Sequence, residues 1–288
     1  GMFMIDATLV LEGGAKRGVF TAGALDYLME EQIYFSHVIG VSAGACNAMG
    51  YTSRQIGRTK DCMIQNERKY SYYPSMKTVI KEKTLIDMEK LFHRFSLVDF
   101  PFDFETFFAS ETTCEMVVTN CETGKAEYLT ERSDKERVMK ICRASSSLPL
   151  VAPIVKIDEV PYLDGGLADS VPLKRAMEIG NKKIVLILTR QKGYRKKALT
   201  KTRSSLCYRA YKSYPRLVEA IIRRSGKYNH MMDIIDRLEA EGKIFVIRPQ
   251  VVSVGRMENN VEKLNAFYQH GYDSMKEAKE RLERFVVS

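Results

Sequence analysis

Twice within the first 51 residues a short apolar run is followed by a small-residue turn and then by a helix-forming stretch, and this repetition constrains the fold more than any other feature of the chain. Thr8-Leu9-Val10-Leu11 is continuously apolar, as strands buried on both faces are. A glycine-rich turn follows, after which Val19, Ala22, Leu25, Leu28 and Met29 recur at helical spacing up to about Gln32. His37-Val38-Ile39-Gly40-Val41 repeats the strand pattern, Ser42 closes it, and the small residues of Ala43 to Tyr51 suit a tightly packed helix. Strand, turn, helix, twice over, is a βαβα start and predicts a parallel sheet covered on both faces.

Further along, Cys114 to Asn120 and Ala126 to Leu129 read as strands joined by a turn containing Gly124, and a helix is expected from about Asp134 to Ala144. Val151 to Ile157 and Val160 to Leu163 make another strand pair, Lys183 to Leu188 a parallel-type strand, and Ile244 to Ile247 the last strand. Beyond Val261 the pattern is amphipathic helix, with Leu264, Phe267, Tyr268, Tyr272 and Met275 on one side. Residues 53 to 110 carry seven of the thirteen phenylalanines (Phe92, Phe95, Phe100, Phe102, Phe104, Phe107 and Phe108), read as core packing in preference to an acyl-chain pocket or lid. No internal repeat or low-complexity linker divides the 288 residues, which argues against two separable domains.

The net charge of +9 is concentrated in one place. Between Arg190 and Asn229 stand thirteen Lys or Arg and one acid, Glu219, so the rest of the chain is slightly acidic. In that segment Leu199, Leu206, Tyr208, Tyr211, Leu217, Val218, Ile221 and Ile222 recur among the cations at helix-like intervals, with Pro215 expected to break the helix in two. The plain reading is a solvated helical face; the sharper one is peripheral contact of residues 190–229 with an anionic membrane, nucleic acid being the less favoured partner. No leader with a cleavage site and no run of ~20 apolar residues is present, so the expectation is a cytoplasmic protein. Gly1 ahead of Met2 reads as an expression scar. The six cysteines lack metal-ligand or disulfide spacing, so reduced thiols are expected, with no metal and no cofactor.

Gly40-Val41-Ser42-Ala43-Gly44 is a GxSxG between a predicted strand and a predicted helix, where the flanking glycines would let the backbone turn sharply and present a serine hydroxyl at the sheet edge. The alternative is that Ser42 merely caps the helix. Gly13-Gly14-Ala15-Lys16-Arg17-Gly18 offers consecutive backbone N–H groups at a helix start, an anion-binding concavity that can serve as an oxyanion hole. It fits neither a P-loop nor a dinucleotide fingerprint. Of the four histidines, His37, His93, His230 and His270, none sits in a turn motif suited to a base. Asp164, at a strand end before Gly165-Gly166, is the better candidate, although an Asp-Gly-Gly turn alone is usually structural.

Glycine loop, GxSxG, Ala144-Ser145-Ser146-Ser147-Leu148-Pro149 and Asp164-Gly165-Gly166-Leu167 with Pro172, in that order, resemble the patatin-like phospholipase family over residues 8 to about 190. The resemblance implies a three-layer α/β/α sandwich with a mostly parallel central sheet plus a helical C-terminal extension. An acyl-hydrolase domain would span residues 5–190, with residues 191–288 a basic helical region and a C-terminal strand and helix packed on the same domain. It further implies a Ser–Asp dyad acting on lipid esters: Ser42 as nucleophile, Asp164 as base, and the N–H groups of Gly13, Gly14 and Ala15 as oxyanion donors. Lys16, Arg17, Gly18, Gly40, Gly44, Gly165 and Gly166 would support the motifs. Ala15 departs from the family's third glycine and, as an L-residue, would need a loop conformation without positive φ. Residues beyond about 190 match no motif. Two rival readings are an α/β-hydrolase esterase with a Ser-Asp-His triad through His230 or His270, and a non-catalytic module binding anionic membrane or nucleic acid through residues 190–229. Against the first, only one predicted strand precedes the strand that ends in Ser42.

Overall fold

Eight strands form one mixed sheet in the computed structural model, which describes residues 3–64, 100–181 and 183–288. They are β1 (Phe3–Leu11), β2 (Ile33–Val41), β3 (Thr113–Asn120), β4 (Ala126–Leu129), β5 (Val155–Ile157), β6 (Val160–Asp164), β7 (Ile184–Ile187) and β8 (Phe245–Ile247). The hydrogen-bonded path runs β5-β6-β3-β2-β1-β7-β8, with β4 also on β3. Pairings among β3, β2, β1, β7 and β8 are parallel, and those of β4, β5 and β6 antiparallel.

Alternation along the central strands sends successive side chains into two different cores. Leu9, Leu11, Val38, Met116, Val185 and Ile187 face α1 (Gly18–Glu30), α2 (Ala43–Thr52) and α5 (Lys135–Ser145), together with α9 (Val261–Val287). Val10, Ile39, Val41, Val117 and Leu186 face α6 (Leu173–Glu178) and α8 (Pro215–Ala240). The expected three-layer α/β/α sandwich is therefore present. Of the phenylalanine-rich stretch, α3 (Arg58–Met63) and α4 (Phe104–Ala109) are described, and Phe102, Phe104 and Phe107 join the first core. Phe92, Phe95 and His93 lie outside the described residues.

Three elements differ from the sequence reading. β1 extends back to Phe3 across a bulge between Ile5 and Thr8, where Asp6 interrupts the apolar run that had marked the strand. β2 likewise begins at Ile33. Residues 151–154 are not strand: Leu150 is left-handed (φ 69°), Ala152 N–H closes a turn onto the Leu148 carbonyl, and Pro153 has no N–H for a ladder. The basic segment divides as Pro215 predicts, into α7 (Lys201–Ala210) and α8, where Pro215 occupies the first turn and its missing N–H is harmless. Tyr211, Leu217, Val218 and Ile221 are buried, whereas Leu206 and Tyr208 are exposed.

Glycines let α9 and α1 pack closely against one another. A Cβ on Gly271 would lie 1.9 Å from the Phe20 carbonyl oxygen, and one on Gly23 would lie 2.0 Å from the Tyr268 carbonyl oxygen. Phe20 meets Phe267 (5.4 Å between centroids) and Tyr27 meets Tyr272 edge-on (5.3 Å) on either side of the crossing. Gly271→Ala should therefore lower stability by about 2–3 kcal/mol through overpacking. Gly226→Ala, on an exposed face of α8 with no atom within 4 Å of the new methyl, should raise it by roughly 0.5–1 kcal/mol through helix propensity. Denaturant unfolding of both variants checks the contrast; a neutral Gly271→Ala would show that the helices can separate without loss.

Candidate active site

The C-terminal ends of β1, β2 and β7 point the same way, as parallel pairing requires, and the loops leaving them meet in a cavity of about 330 Å³. Gly13, Gly14, Ala15 and Arg17 from the loop after β1, Ser42 after β2, Asp164 at the end of β6 and Gly166 just beyond it, and Thr189 after β7 all line it. β6 is antiparallel to β3, yet its last residue arrives at the same place because of register. Val41 pairs with Val117 and Asp164 pairs with Val118, while β4 takes the opposite edge of β3 over Met116–Thr119. A strand has two edges, so β2 and β6 share one and abut end to end. Ser42 and Asp164 are thereby neighbours although 122 positions separate them in sequence.

Ser42 has φ 57° and ψ −119°, a conformation rare for an L-residue that stores of order 1–3 kcal/mol. The turn's strain thus falls on Ser42 itself, while the flanking glycines supply clearance. A Cβ on Gly40 would lie 2.2 Å from the Gly44 carbonyl oxygen, and one on Gly44 would lie 2.3 Å from that of Leu11. Ser145, unremarked as an individual residue in the sequence, braces the turn: its Oγ accepts the Ser42 N–H (2.9 Å) and donates to the Val117 carbonyl (2.6 Å). Although Ser42 stands at the N-cap of α2, its hydroxyl makes no capping bond and lies close enough to the Asp164 carboxylate to favour its charged form.

Asp164 is 1% exposed. Its carboxylate accepts the Gly166 N–H at 2.7 Å, its own N–H donates to the Ser147 carbonyl, and Thr119 Oγ1 donates to its carbonyl at 2.8 Å. Burial raises its pKa above the ordinary carboxylate value, against the pull of Arg224, the Gly166 N–H, the Ser42 hydroxyl and Arg256. Gly165 packs where any Cβ would strike the Val117 carbonyl at 2.1 Å.

The glycine loop is clamped from β7. Thr189 N–H donates to the buried Glu12 carboxylate (2.7 Å), and the Thr189 hydroxyl reaches Glu12 Oε1 (3.0 Å) and the Gly13 carbonyl (2.9 Å). In a trans peptide the N–H faces away from the carbonyl oxygen, so the Gly14 N–H is turned opposite to the side Thr189 holds. Among the described residues no acceptor is bonded to the N–H groups of Gly13, Gly14 or Ala15. One expectation is corrected: Ala15 does adopt positive φ (50°), at the start of a 3-10 turn over Ala15–Arg17. Lys16 is buried with its Nζ on the Met63 carbonyl and does not line the cavity, and burial pushes its pKa down to about 8. Gly18 lets α1 approach Ala43 of α2.

The three described histidines are elsewhere. His37 pairs with Glu115, His230 is exposed on α8, and His270 accepts the Gln250 N–H. Neither His230 nor His270 lines the Ser42 cavity. Among the described residues no group of His, Cys, Asp and Glu side chains is arranged to hold a metal ion.

With this geometry the chain can be placed among known proteins. Residues 9–177 match the model of the patatin-like phospholipases, and residues 214–287 match a domain of unknown function. The chain belongs to the patatin-like phospholipase family. Among curated proteins it is 31% identical over 186 residues (63% of this chain, 51% of the other) to the uncharacterized protein YjjU of Escherichia coli strain K12. It is 25% identical over 193 residues (61% and 65%) to the probable lipid hydrolase 463L of Invertebrate iridescent virus 6. The chain thus spans between half and two thirds of the length of these relatives. Among solved structures, VipD from Legionella pneumophila aligns over 94% of this chain and 66% of that one with a TM-score of 0.49 and 14% identity.

The raised pKa of Asp164 has a thermodynamic consequence. A carboxyl that binds its proton more tightly when folded favours the fold below the unfolded pKa of ~3.9 and forfeits that benefit as pH rises through the folded value. Asp164→Asn should therefore raise the melting temperature at pH 7, the gain shrinking toward zero below about pH 4. Calorimetric melts of both proteins from pH 3 to 8 test this; a gain that grows on acidification would mean that Asp164 is stabilised, not penalised, as the anion.

Proposed function

We propose that the protein is a serine acyl hydrolase of lipid esters, working through a Ser42–Asp164 dyad with the Gly13–Ala15 amides as oxyanion hole. The observation that carries this reading is Ser42, held in a strained turn in the same cavity as the buried Asp164 carboxylate and beside three amides that have no acceptor among the described residues. Membership of the patatin-like family and the lipid-hydrolase name of the viral relative support it.

In this mechanism Ser42 Oγ attacks the ester carbonyl carbon while its proton passes to Asp164, and the loop amides stabilise the tetrahedral oxyanion. Collapse expels the alcohol, which takes the proton back, and water then releases the fatty acid from the acyl-serine by the same proton route. A carboxylate at the ordinary ~3.9 is a weak base at neutral pH, so the burial that raises Asp164 brings it closer to what proton transfer requires. A fluorophosphonate should label Ser42 and no other serine, as mapped by mass spectrometry. Asp164→Asn should lose at least ~100-fold in ester hydrolysis, within the usual range for removing a general base, while the His93/His230/His270 triple variant keeps most of the activity. Loss with the histidines and retention in Asp164→Asn would replace the dyad by a triad.

We also propose peripheral contact with anionic bilayers through α7 and its flanks. Lys201, Arg203, Arg209, Lys212 and Arg216 are exposed, and Leu206 and Tyr208 stand 42% and 59% exposed among them. Each such cation contributes ~1 kcal/mol near an anionic surface, screened by salt. Among the described residues no helix is long and apolar enough to cross a membrane. Reversing Arg203, Arg209, Lys212 and Arg216 to Glu should abolish salt-sensitive sedimentation with phosphatidylglycerol vesicles; unchanged binding would return the face to solvent.

A further inference from the structure

Six cations converge on the cavity that holds Ser42: Arg17, Arg190, Lys196, Lys197, Arg224 and Arg256. They come from four separate stretches of chain: the glycine loop, the segment after β7, α8, and the loop before α9. All but Arg17 lie outside the residues matched by the patatin-like family. The two carboxylates in the same cavity are already engaged, Glu12 by the Thr189 N–H and hydroxyl and Asp164 by the Gly166 N–H. No ion pair joins any of the six to a carboxylate among the described residues. Close by, cations that do not line the cavity are paired: Arg195 with Asp233 and Asp236, Arg248 with Asp236 and Glu239.

Two of the six are incompletely satisfied. Arg17 is 5% exposed and its Nε has no partner, and the buried Nε of Arg190 has none either. Leaving guanidinium donors without acceptors is costly unless something else supplies the acceptors. The groups are close enough to act on one another: Lys196 is pushed down to about 8 by burial and by Arg224, Arg17 and Arg190, and Arg17 down to about 10 by burial, Arg190 and Arg256, against the pull of Glu12 on both. Six cations gathered around only two carboxylates, Glu12 and Asp164, in a partly enclosed cleft leave an excess of positive charge that focuses a field and draws anions into it. Arg224 and Arg256 also act on Asp164, which places this field beside the dyad. The volume of about 330 Å³ suits a glycerol-phosphate-sized group.

We propose that this cluster is an anion subsite for the substrate's phosphate, so that the preferred substrate is an acyl ester bearing an uncompensated phosphate close to the scissile carbonyl, as in phosphatidic or lysophosphatidic acid. This assignment rests on the acyl-hydrolase reading given above. A choline headgroup would bring a fixed positive charge against the same cations, and a neutral glyceride would leave them without acceptors, so both should be poor substrates.

Dihexanoyl phosphatidic acid, dihexanoyl phosphatidylcholine and dihexanoylglycerol, used as monomers below their critical micelle concentrations, separate this subsite from any attraction of α7 to a charged surface. The ratio of kcat/KM for phosphatidic acid to that for phosphatidylcholine should be at least tenfold in the unmodified protein. In Arg224→Gln and Arg256→Gln that ratio should fall about tenfold, chiefly through KM, and Arg224→Lys should restore part of it. Inorganic phosphate should compete with p-nitrophenyl butyrate for the unmodified protein and less so for the variants. Equal hydrolysis of all three esters, with Ser42 still labelled by a fluorophosphonate, would overturn the subsite alone. Competition by phosphate without any preference among the lipids would assign the cluster to free phosphate and equally overturn the substrate class. Absence of labelling and of hydrolysis of every ester would instead strike the acyl-hydrolase reading.

Discussion

One edge of β3 organises the candidate site. Val117 ends the parallel partnership with β2, and Val118 begins the antiparallel partnership with β6, so two strands of opposite direction meet head to head on a single ladder. The meeting point is polar backbone that neither strand can fully satisfy, and nearby hydroxyls complete it: Ser145 takes the Val117 carbonyl and the Ser42 N–H, and Thr119 takes the Asp164 carbonyl. Buried backbone groups without partners are expensive, so this bracing is what allows a sheet to end two strands inside its own core. A slip of one residue in either ladder would send the Ser42 or the Asp164 side chain to the other face.

The site is also where the structure holds its least comfortable residues. Ser42 and Ala15 both sit at positive φ, Asp164 is a carboxylate almost without solvent, and like charges crowd the same cavity. Each is tolerated because its surroundings are over-determined. Glycine clearance at Gly40 and Gly44, the Thr189 clamp on the glycine loop, and two hydrophobic cores pressing on the sheet leave these groups no alternative conformation. Local strain and burial of charge are supported by packing distributed over the whole sandwich.

The C-terminal region takes part in both layers of this arrangement. α9 locks against α1 through paired glycines, β8 extends the sheet beside β7, and α8 packs on the second core and brings Arg224 to the cavity that Asp164 lines. The glycine loop leads into α1, the helix against which α9 packs. Residues beyond 190 therefore contribute to the cavity's shape and to its charge.

Much of the candidate site was legible because its motifs are local. The glycine loop, the GxSxG and the Asp-Gly-Gly turn each encode a backbone conformation within a few residues, and continuous apolar runs mark strands buried on both faces whatever they pair with. Neighbouring residues alone could not reveal that the strain of the turn falls on Ser42 rather than on its glycines, or that Ala15 is left-handed, since both depend on how the following helix is entered. Nor could they show that β6 joins the β2 edge of β3, because register is decided by pairing across the sheet. The cations divided in the same way. Composition established that residues 190–229 are basic, and helical spacing with Pro215 established two helices. Which of those charges face solvent on α7 and which turn inward beside Arg17 and Arg256 was decided by tertiary packing, because a charge's neighbours in space come from segments that share no periodicity with it.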